Sequence, residues 1–134
     1  LNSRVKHRAW FRPFAPVILE ERMTEFFEIE QVDPFMTMAP RVRTDKAQLI
    51  PAAVHVDGTA RIQTVDRASN PRFYALIKEF AELTGIPVIL NTSFNRQEPI
   101  VARPSEAISC YLGTQMDVLV LGDLYVTDRK PPPR

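Results

Sequence analysis

The chain of 134 residues, with 45% apolar and 25% charged side chains, is long enough for one domain with a sizeable core and too apolar to be disordered. Its 17 basic and 16 acidic residues leave a formal net charge of +1, which gives a nucleic-acid partner no support, and no apolar run is long enough to cross a membrane. A single cysteine, Cys110, excludes an internal disulfide and a cysteine-based zinc site, and it favours a reducing, cytoplasmic compartment.

The N-terminal third combines basic residues with prolines. It starts without a Met and shows no signal-peptide or transit-peptide pattern, so we expect a piece cut from a longer polypeptide. Charged and apolar residues alternate over residues 4–11, which predicts a short strand or extended arm. Residues 17–28 have the pattern of a helix, and residues 32–38 suit a strand interrupted by Pro34. Residues 40–46 indicate a mobile, charged loop.

A β-hairpin is predicted in the middle of the chain. Two β-rich runs, residues 49–56 and 59–65, flank Asp57-Gly58, a strong short-range hairpin signal that needs no function to explain it. In this hairpin Arg61 lies beside valines, where a guanidinium requires an anion. His55 fits a buried, hydrogen-bonded ring more readily than a catalytic one.

Two helices are predicted from residues that favour helix ends. The first has Asn70 as its N-cap and Pro71 at its first position, and it stops at Gly85. The second runs from Pro104 to Leu112 and is closed by Gly113.

Short apolar runs predict the remaining strands, at residues 86–90, 118–121 and 124–126, the first of them buried on both faces. The order of elements favours an α/β or α+β fold with an open, twisted mixed sheet and helices packed on it. We predict one domain over residues 1–128 and an extended tail over residues 129–134.

Arg12 is the first candidate for ligand binding. Its sequence neighbours Trp10, Phe11, Pro13 and Phe14 are all apolar, and a guanidinium among them is costly unless its hydrogen bonds are accepted. A structural ion pair and a bound anion both satisfy this requirement. The nearby residues Arg4, Lys6 and Arg8 share one face of the predicted strand, which also suits a solvated edge.

The polar string Asn91-Thr92-Ser93-Phe94-Asn95 directly follows the apolar strand. The carboxyl end of a buried strand is where α/β sheets place their ligands, although a loop built of Asx and Ser/Thr turns has the same composition. Glu98 follows this string. Its carboxylate could pair with an arginine or with a ligand cation, and the alternative is a solvated loop residue.

The absence of several known motifs excludes some kinds of binding and catalytic site. The sequence has no Walker-type, dinucleotide-binding or nucleophile-elbow glycine motif, and its two histidines exclude a histidine-rich metal site. If phosphate is bound, Lys6, Arg12 and Arg61 are the cations suited to it. The residues therefore indicate a pocket for a planar, polar, phosphorylated ligand.

Three strings carry a family resemblance. Residues 12–16 (RPFAP), 55–61 (HVDGTAR) and 91–95 (NTSFN), the last followed by Glu98-Pro99-Ile100, occur in this order. Together they resemble the C-terminal domain of the carbamoyltransferases, which include nodulation-factor and antibiotic O-carbamoyltransferases. The resemblance extends from about Arg4 to Val126, with one departure at Val17, where the family often has a serine.

The resemblance implies a YrdC-like fold and an activity. Such a domain takes carbamoyl phosphate and ATP, with Mg²⁺ accompanying the ATP, forms carbamoyl adenylate and releases pyrophosphate and phosphate. A preceding, metal-bearing Kae1-like domain, absent from this sequence, then transfers the carbamoyl group to a hydroxyl acceptor.

The resemblance also assigns roles to individual residues. It implies that Lys6 and Arg12 hold the carbamoyl and phosphate groups and that Arg61 is a further phosphate clamp, so these three are the candidate catalytic residues. Asn91, Ser93 and Asn95 are the implied nucleotide or carbamoyl contacts, and no metal ligand is implied in this chain.

Two alternatives come from other functional classes. An RNA-binding module of the same fold would lose RNA affinity steeply as salt rises. A non-catalytic domain that only docks on its N-terminal partner would not bind ATP at all.

Overall fold

A computed structural model describes residues 1–127, which form two compact units. One unit is continuous and comprises residues 13–92, whereas the other combines residues 1–12 with residues 93–127. The predicted tail at residues 129–134 lies outside the described residues. No helix in the described part of the chain has the length and apolar character needed to cross a membrane.

The continuous unit contains a three-stranded mixed sheet. Strand β1 (Ala15–Leu19) is central, with β2 (Gln63–Val65) parallel on one side and β3 (Val88–Asn91) antiparallel on the other. Ile18 packs into one apolar cluster, whereas Val17 and Leu19 pack into a second one. The central strand is therefore buried on both faces, as its unbroken apolar sequence favours.

The helix predicted over residues 17–28 is only partly present, because residues 20–26 alone are helical. Its first three residues belong to β1, and the chain then makes a short helical turn at Glu20–Arg22 and one turn of helix α1 at Met23–Phe26. The β-branched pair Val17-Ile18 prefers a strand, and burial on both faces of the sheet outweighs the helical spacing of the residues that follow.

The predicted hairpin is only partly present. The turn at Asp57-Gly58 forms, with Gly58 at φ +81° and the Thr59 amide donating to Asp57 Oδ1 over 3.0 Å. Before it the chain makes short helical turns at Ala47–Leu49 and Pro51–Ala53 instead of a strand, and after it only β2 is extended. Pro51 lacks the amide that a ladder requires, which disfavours the first strand.

Helix α2 (Pro71–Thr84) confirms the predicted capping. Asn70 Oδ1 accepts from the Phe73 amide over 3.3 Å, and Gly85 ends the helix at φ +75°. Strand β3 follows as predicted, but Leu90 is 43% exposed, so burial of this strand on both faces is wrong.

The discontinuous unit has one helix and one hairpin. Helix α3 (Pro104–Leu112) packs on the antiparallel strands β4 (Leu119–Leu121) and β5 (Leu124–Val126), and all three elements lie where the sequence predicted a helix and two strands.

The strand or arm predicted over residues 4–11 is wrong, because Asn2–Lys6 form a helical turn in which the Val5 and Lys6 amides donate to the Leu1 carbonyl. Helices with a small mixed sheet are thus confirmed, whereas the YrdC-like likeness stays a prediction.

The strand suggested for residues 32–38 does not form, because the chain wraps around the buried carboxylate of Asp33. Asp33 is 2% exposed, and its Oδ1 accepts from the Phe35 amide and from both the amide and the hydroxyl of Thr37. Its Oδ2 accepts from the Met38 amide over 2.7 Å. Burial alone would raise the pKa of Asp33, but these hydrogen bonds outweigh it and the pKa is lowered.

We expect Asp33→Asn to lower the free energy of unfolding by about 2 kcal/mol, because an amide NH2 would face the Met38 amide and leave it unsatisfied. The carboxylate contributes stability above its ordinary pKa, and this contribution is lost as pH falls through the lowered pKa, so the gap between variant and wild type should narrow in acid. Denaturant titration of both proteins at several pH values measures this difference in the free energy of unfolding. Asp45→Asn is the control, because the Asp45 side chain is 71% exposed; an equal effect in both variants would contradict the role of Asp33.

Candidate functional site

Lys6 is the centre of the candidate site in the discontinuous unit. It lies at the end of the first helical turn, and only 6% of the residue is exposed. Its Nζ lies 2.7 Å from the Ser93 carbonyl, 3.2 Å from Ser93 Oγ, 2.8 Å from the Asn95 carbonyl and 2.7 Å from Asn95 Oδ1. An ammonium group has three protons, so these oxygens account for all of them.

The side chains of Ser93 and Asn95 are fixed by the same network. Ser93 Oγ donates to Asn95 Oδ1 over 2.7 Å, and Asn95 Nδ2 donates to the Glu98 carbonyl over 2.6 Å. Because Oδ1 accepts while Nδ2 donates, the orientation of the Asn95 amide is determined. The structure therefore brings together Lys6, Ser93 and Asn95, which the sequence placed far apart.

The carboxylate of Glu98 is bound by backbone amides of the loop that follows Asn95. Its carboxylate accepts from the Gln97 amide over 3.0 Å and from the Arg96 amide over 3.1 Å, and it forms a long ion pair of 3.8 Å with Arg96 Nε. Backbone hydrogen bonds, first that of Gln97, lower the pKa of Glu98 to about 2. Burial, followed by the hydrogen bond to Glu98, raises the pKa of the Cys110 thiol. The ion pair with Arg96 agrees with the arginine partner that was one of the roles predicted for Glu98.

Arg8 is a site residue that the sequence reasoning treated only as a solvated edge charge. It is half-buried, and its Nε donates to Asn2 Oδ1 over 2.7 Å. Burial lowers the pKa of Lys6 and the charge of Arg8 lowers it further, whereas burial and the charge of Arg12 lower the pKa of Arg8. The charges of Lys6 and Arg8, and those of Arg8 and Arg12, thus act on each other, and we call these three residues the cationic row. The alternation of basic residues over positions 4–8 indicated the first two of them.

The apolar crowding predicted around Arg12 is wrong. Trp10 and Phe11 are 85% and 68% exposed, and Arg12 itself is exposed. Within residues 1–127 no salt bridge involves Arg12, so its guanidinium is accessible to a ligand.

The other predicted site residues lie in the continuous unit. Arg61 is exposed, and Asn91 Nδ2 donates to Gln63 Oε1 over 2.7 Å. His55 Nδ1 lies 2.9 Å from Thr59 Oγ1, which confirms the predicted hydrogen bond, but the ring predicted to be buried is only half-buried. The structure thus places Arg61 and Asn91 in one unit, and Lys6, Arg12, Ser93 and Asn95 in the other.

A cavity of about 660 Å³ lies beside the Glu98 loop, between it and helix α3. Apolar residues from the loop and hydroxyl groups from the helix line it. The lining residues are Arg96, Glu98, Pro99, Ile100, Val101, Ala102, Ser105, Glu106, Ser109, Cys110, Gly113 and Thr114. Across the described range, His, Cys, Asp and Glu side chains do not gather in groups of three or more that could hold a metal ion.

The chain matches the family model of the carbamoyltransferase C-terminus over residues 1–128, and it therefore belongs to this family, as the three strings indicated. It is 47% identical over 133 residues to nodulation protein NolO of Bradyrhizobium diazoefficiens, covering 96% of this chain and 24% of that protein. It is 44% identical over 137 residues to nodulation protein NolNO of Sinorhizobium fredii, covering 99% of this chain and 20% of that protein. The chain spans about a quarter or less of the length of these relatives.

We expect Lys6→Met to lower the free energy of unfolding by about 3 kcal/mol and to speed amide hydrogen exchange over residues 93–98, because the buried oxygens would lose their donor. Denaturant titration and hydrogen exchange measure the two effects. The matched control is Lys78→Met, whose side chain is 58% exposed and makes only a surface ion pair. Unchanged exchange over residues 93–98 in Lys6→Met would contradict the anchoring role.

The carboxyl carbon of Glu98 should titrate near pH 2 when followed by NMR, because backbone amides stabilise its ionised form. Its contribution to stability is present above the ordinary pKa and is lost as pH falls toward 2. In Cys110→Ala the midpoint should stay well below the ordinary value of 4.5, since the Arg96 and Gln97 amides remain. A midpoint near 4.5 in the wild type would show that these bonds do not hold in solution.

Proposed function

We propose that this chain is the carbamoyl-activating domain of an O-carbamoyltransferase. It forms carbamoyl adenylate from carbamoyl phosphate and ATP, and a preceding Kae1-like, metal-bearing domain of the same polypeptide transfers the carbamoyl group to a hydroxyl acceptor. Membership of the carbamoyltransferase family supports the reaction class. The nodulation proteins similar to this chain are much longer, which is compatible with a second domain.

The observation that carries the proposal is the buried ammonium of Lys6. Its near neighbours are neutral oxygens, and no salt bridge neutralises it within the described residues. Arg8 and Arg12 add two further positive charges, while the negative charge of Glu98 acts on Lys6 in the opposite direction. A preorganised site with this excess of positive charge favours an anionic ligand such as a phosphate or a carbamate.

The reaction divides into two balanced steps. Water first cleaves carbamoyl phosphate to carbamate and phosphate. A carbamate oxygen then attacks the α-phosphorus of ATP, the bond from this phosphorus to the bridging oxygen breaks, and pyrophosphate leaves with the electron pair. Negative charge grows on the non-bridging oxygens during the second step, and fixed cations stabilise that transition state more than the ground state.

In this proposal some residues stabilise negative charge and others position the substrates. Lys6 holds the Ser93 and Asn95 loop and contributes its charge, because its protons already have acceptors. Arg12 and Arg61 have exposed guanidinium groups suited to phosphate oxygens, and Asn91, Ser93 and Asn95 supply polar contacts to nucleotide or carbamoyl. Mg²⁺ belongs to the ATP substrate in this proposal and requires no cage of protein carboxylates.

We expect Arg12→Ala and Arg61→Ala each to lower the rate of pyrophosphate release from ATP and carbamoyl phosphate by about a hundredfold, because each removes a cation from the transferring phosphate. An enzyme-coupled pyrophosphate assay measures the rate, and circular dichroism checks that both variants are folded. Arg67→Ala is the control, since Arg67 is also exposed and in the same unit as Arg61.

Two outcomes would contradict the proposal. Wild-type rates in both Arg12→Ala and Arg61→Ala would remove these residues from the site. Failure of the wild-type chain to bind ATP in calorimetry, with or without carbamoyl phosphate, would contradict nucleotide activation by this domain and favour a domain that only docks on its partner.

A further inference from the structure

Two aromatic rings are displayed to solvent on one turn of the discontinuous unit. Trp10 and Phe11 are 85% and 68% exposed, and their ring centroids lie 6.1 Å apart at an interplanar angle of 85°. We call residues 8–12 the aromatic turn. Large exposed aromatic rings are unfavourable in water, so a pair of them held outside the core indicates a binding role.

The side chain of Asn2 holds the aromatic turn in its conformation. Asn2 Nδ2 donates to the Trp10 carbonyl over 3.0 Å and to the Arg12 carbonyl over 2.8 Å, and its Oδ1 accepts from Arg8 Nε over 2.7 Å. The Arg12 amide also donates to the Ala9 carbonyl over 3.3 Å. Both hydrogens and the oxygen of one amide are thus used to fix this turn, and the rings project from a preorganised backbone.

The surroundings of the rings are cationic. Residues 4–12 include the basic residues Arg4, Lys6, Arg8 and Arg12 and contain no acidic residue. An apolar docking surface for a protein partner would be larger and less charged, whereas two rings flanked in sequence by Arg8 and Arg12 suit a small, flat anion. A nucleotide has both parts, because its base stacks on aromatic rings and its phosphates bind arginines.

We propose that the aromatic turn is the stacking surface for the base of the nucleotide, with the purine ring on the indole of Trp10 and the phosphates directed toward Arg12. The proposal rests on the proposed function, in which this domain binds ATP, and it adds the residue on which the base stacks. Stacking uses the π face that every base presents, so Trp10 contributes affinity for the nucleoside part and little base selectivity.

Trp10 is the only tryptophan of the chain, which makes it a local reporter. ATP should quench its fluorescence in the purified 134-residue chain. Calorimetry should show ATP binding about tenfold weaker in Trp10→Ala, with tripolyphosphate binding unchanged, because only the stacking contact is removed. Trp10→Phe should retain most of the ATP affinity. The control is Phe35→Ala in the continuous unit, since Phe35 is 82% exposed and outside the aromatic turn; it should bind ATP like the wild type.

The outcomes separate this inference from the proposed function. Wild-type ATP affinity in Trp10→Ala would overturn the stacking role and leave ATP binding by the domain intact. An equal loss of ATP and tripolyphosphate binding would also overturn it, because Trp10 would then act on the cations and not on the base. Absence of ATP binding in the wild type would overturn both. Quenching by single-stranded oligoadenylate at far lower concentration than by ATP, with steep salt dependence, would assign the surface to nucleic acid instead.

Discussion

The burial of a single ammonium group governs the discontinuous unit. An ammonium removed from water is costly unless its protons find acceptors, and Lys6 finds them in the carbonyls and side chains of Ser93 and Asn95. This requirement ties the N-terminal turn to the loop after β3. The orientation of the Asn95 amide, and through it the position of Glu98, follows from the same bonds. In the proposed function, ligand binding at this loop is therefore coupled to the placement of Lys6.

Local sequence signals predicted the elements whose ends are set by local chemistry. Asn70 and Gly85 bound α2, and the hairpin of β4 and β5 forms where two short apolar runs flank a turn. The same reasoning failed at β1, because Val17 and Ile18 are buried by clusters formed from distant residues. It failed at the N-terminus for a similar reason, since alternation of charged residues contains no information about the loop that accepts the Lys6 protons.

The sequence was sufficient to predict which residues form the candidate site, but it did not predict their positions in space or their hydrogen bonds. The family resemblance selected Lys6, Ser93 and Asn95, and the structure places these together. Their hydrogen bonds join positions more than eighty residues apart, which no local pattern encodes. For Arg12 the sequence was misleading. Its apolar neighbours in sequence suggested apolar surroundings for the guanidinium, but the rings of Trp10 and Phe11 are exposed to solvent. The alternation at positions 4–8 includes Arg8 but does not show that its charge acts together with those of Lys6 and Arg12.

The division of one unit into residues 1–12 and 93–127 has a consequence for biosynthesis. A ribosome releases Lys6 long before it adds Ser93 and Asn95, so the ammonium stays hydrated while the whole continuous unit is made. Residues 13–92 form a unit that is continuous in sequence, so the contacts within it need no residue that is synthesised after Thr92. The contacts of Lys6 with Ser93 and Asn95 are consequently among the last to form, and a chain that ends before residue 93 lacks all four of these oxygen acceptors.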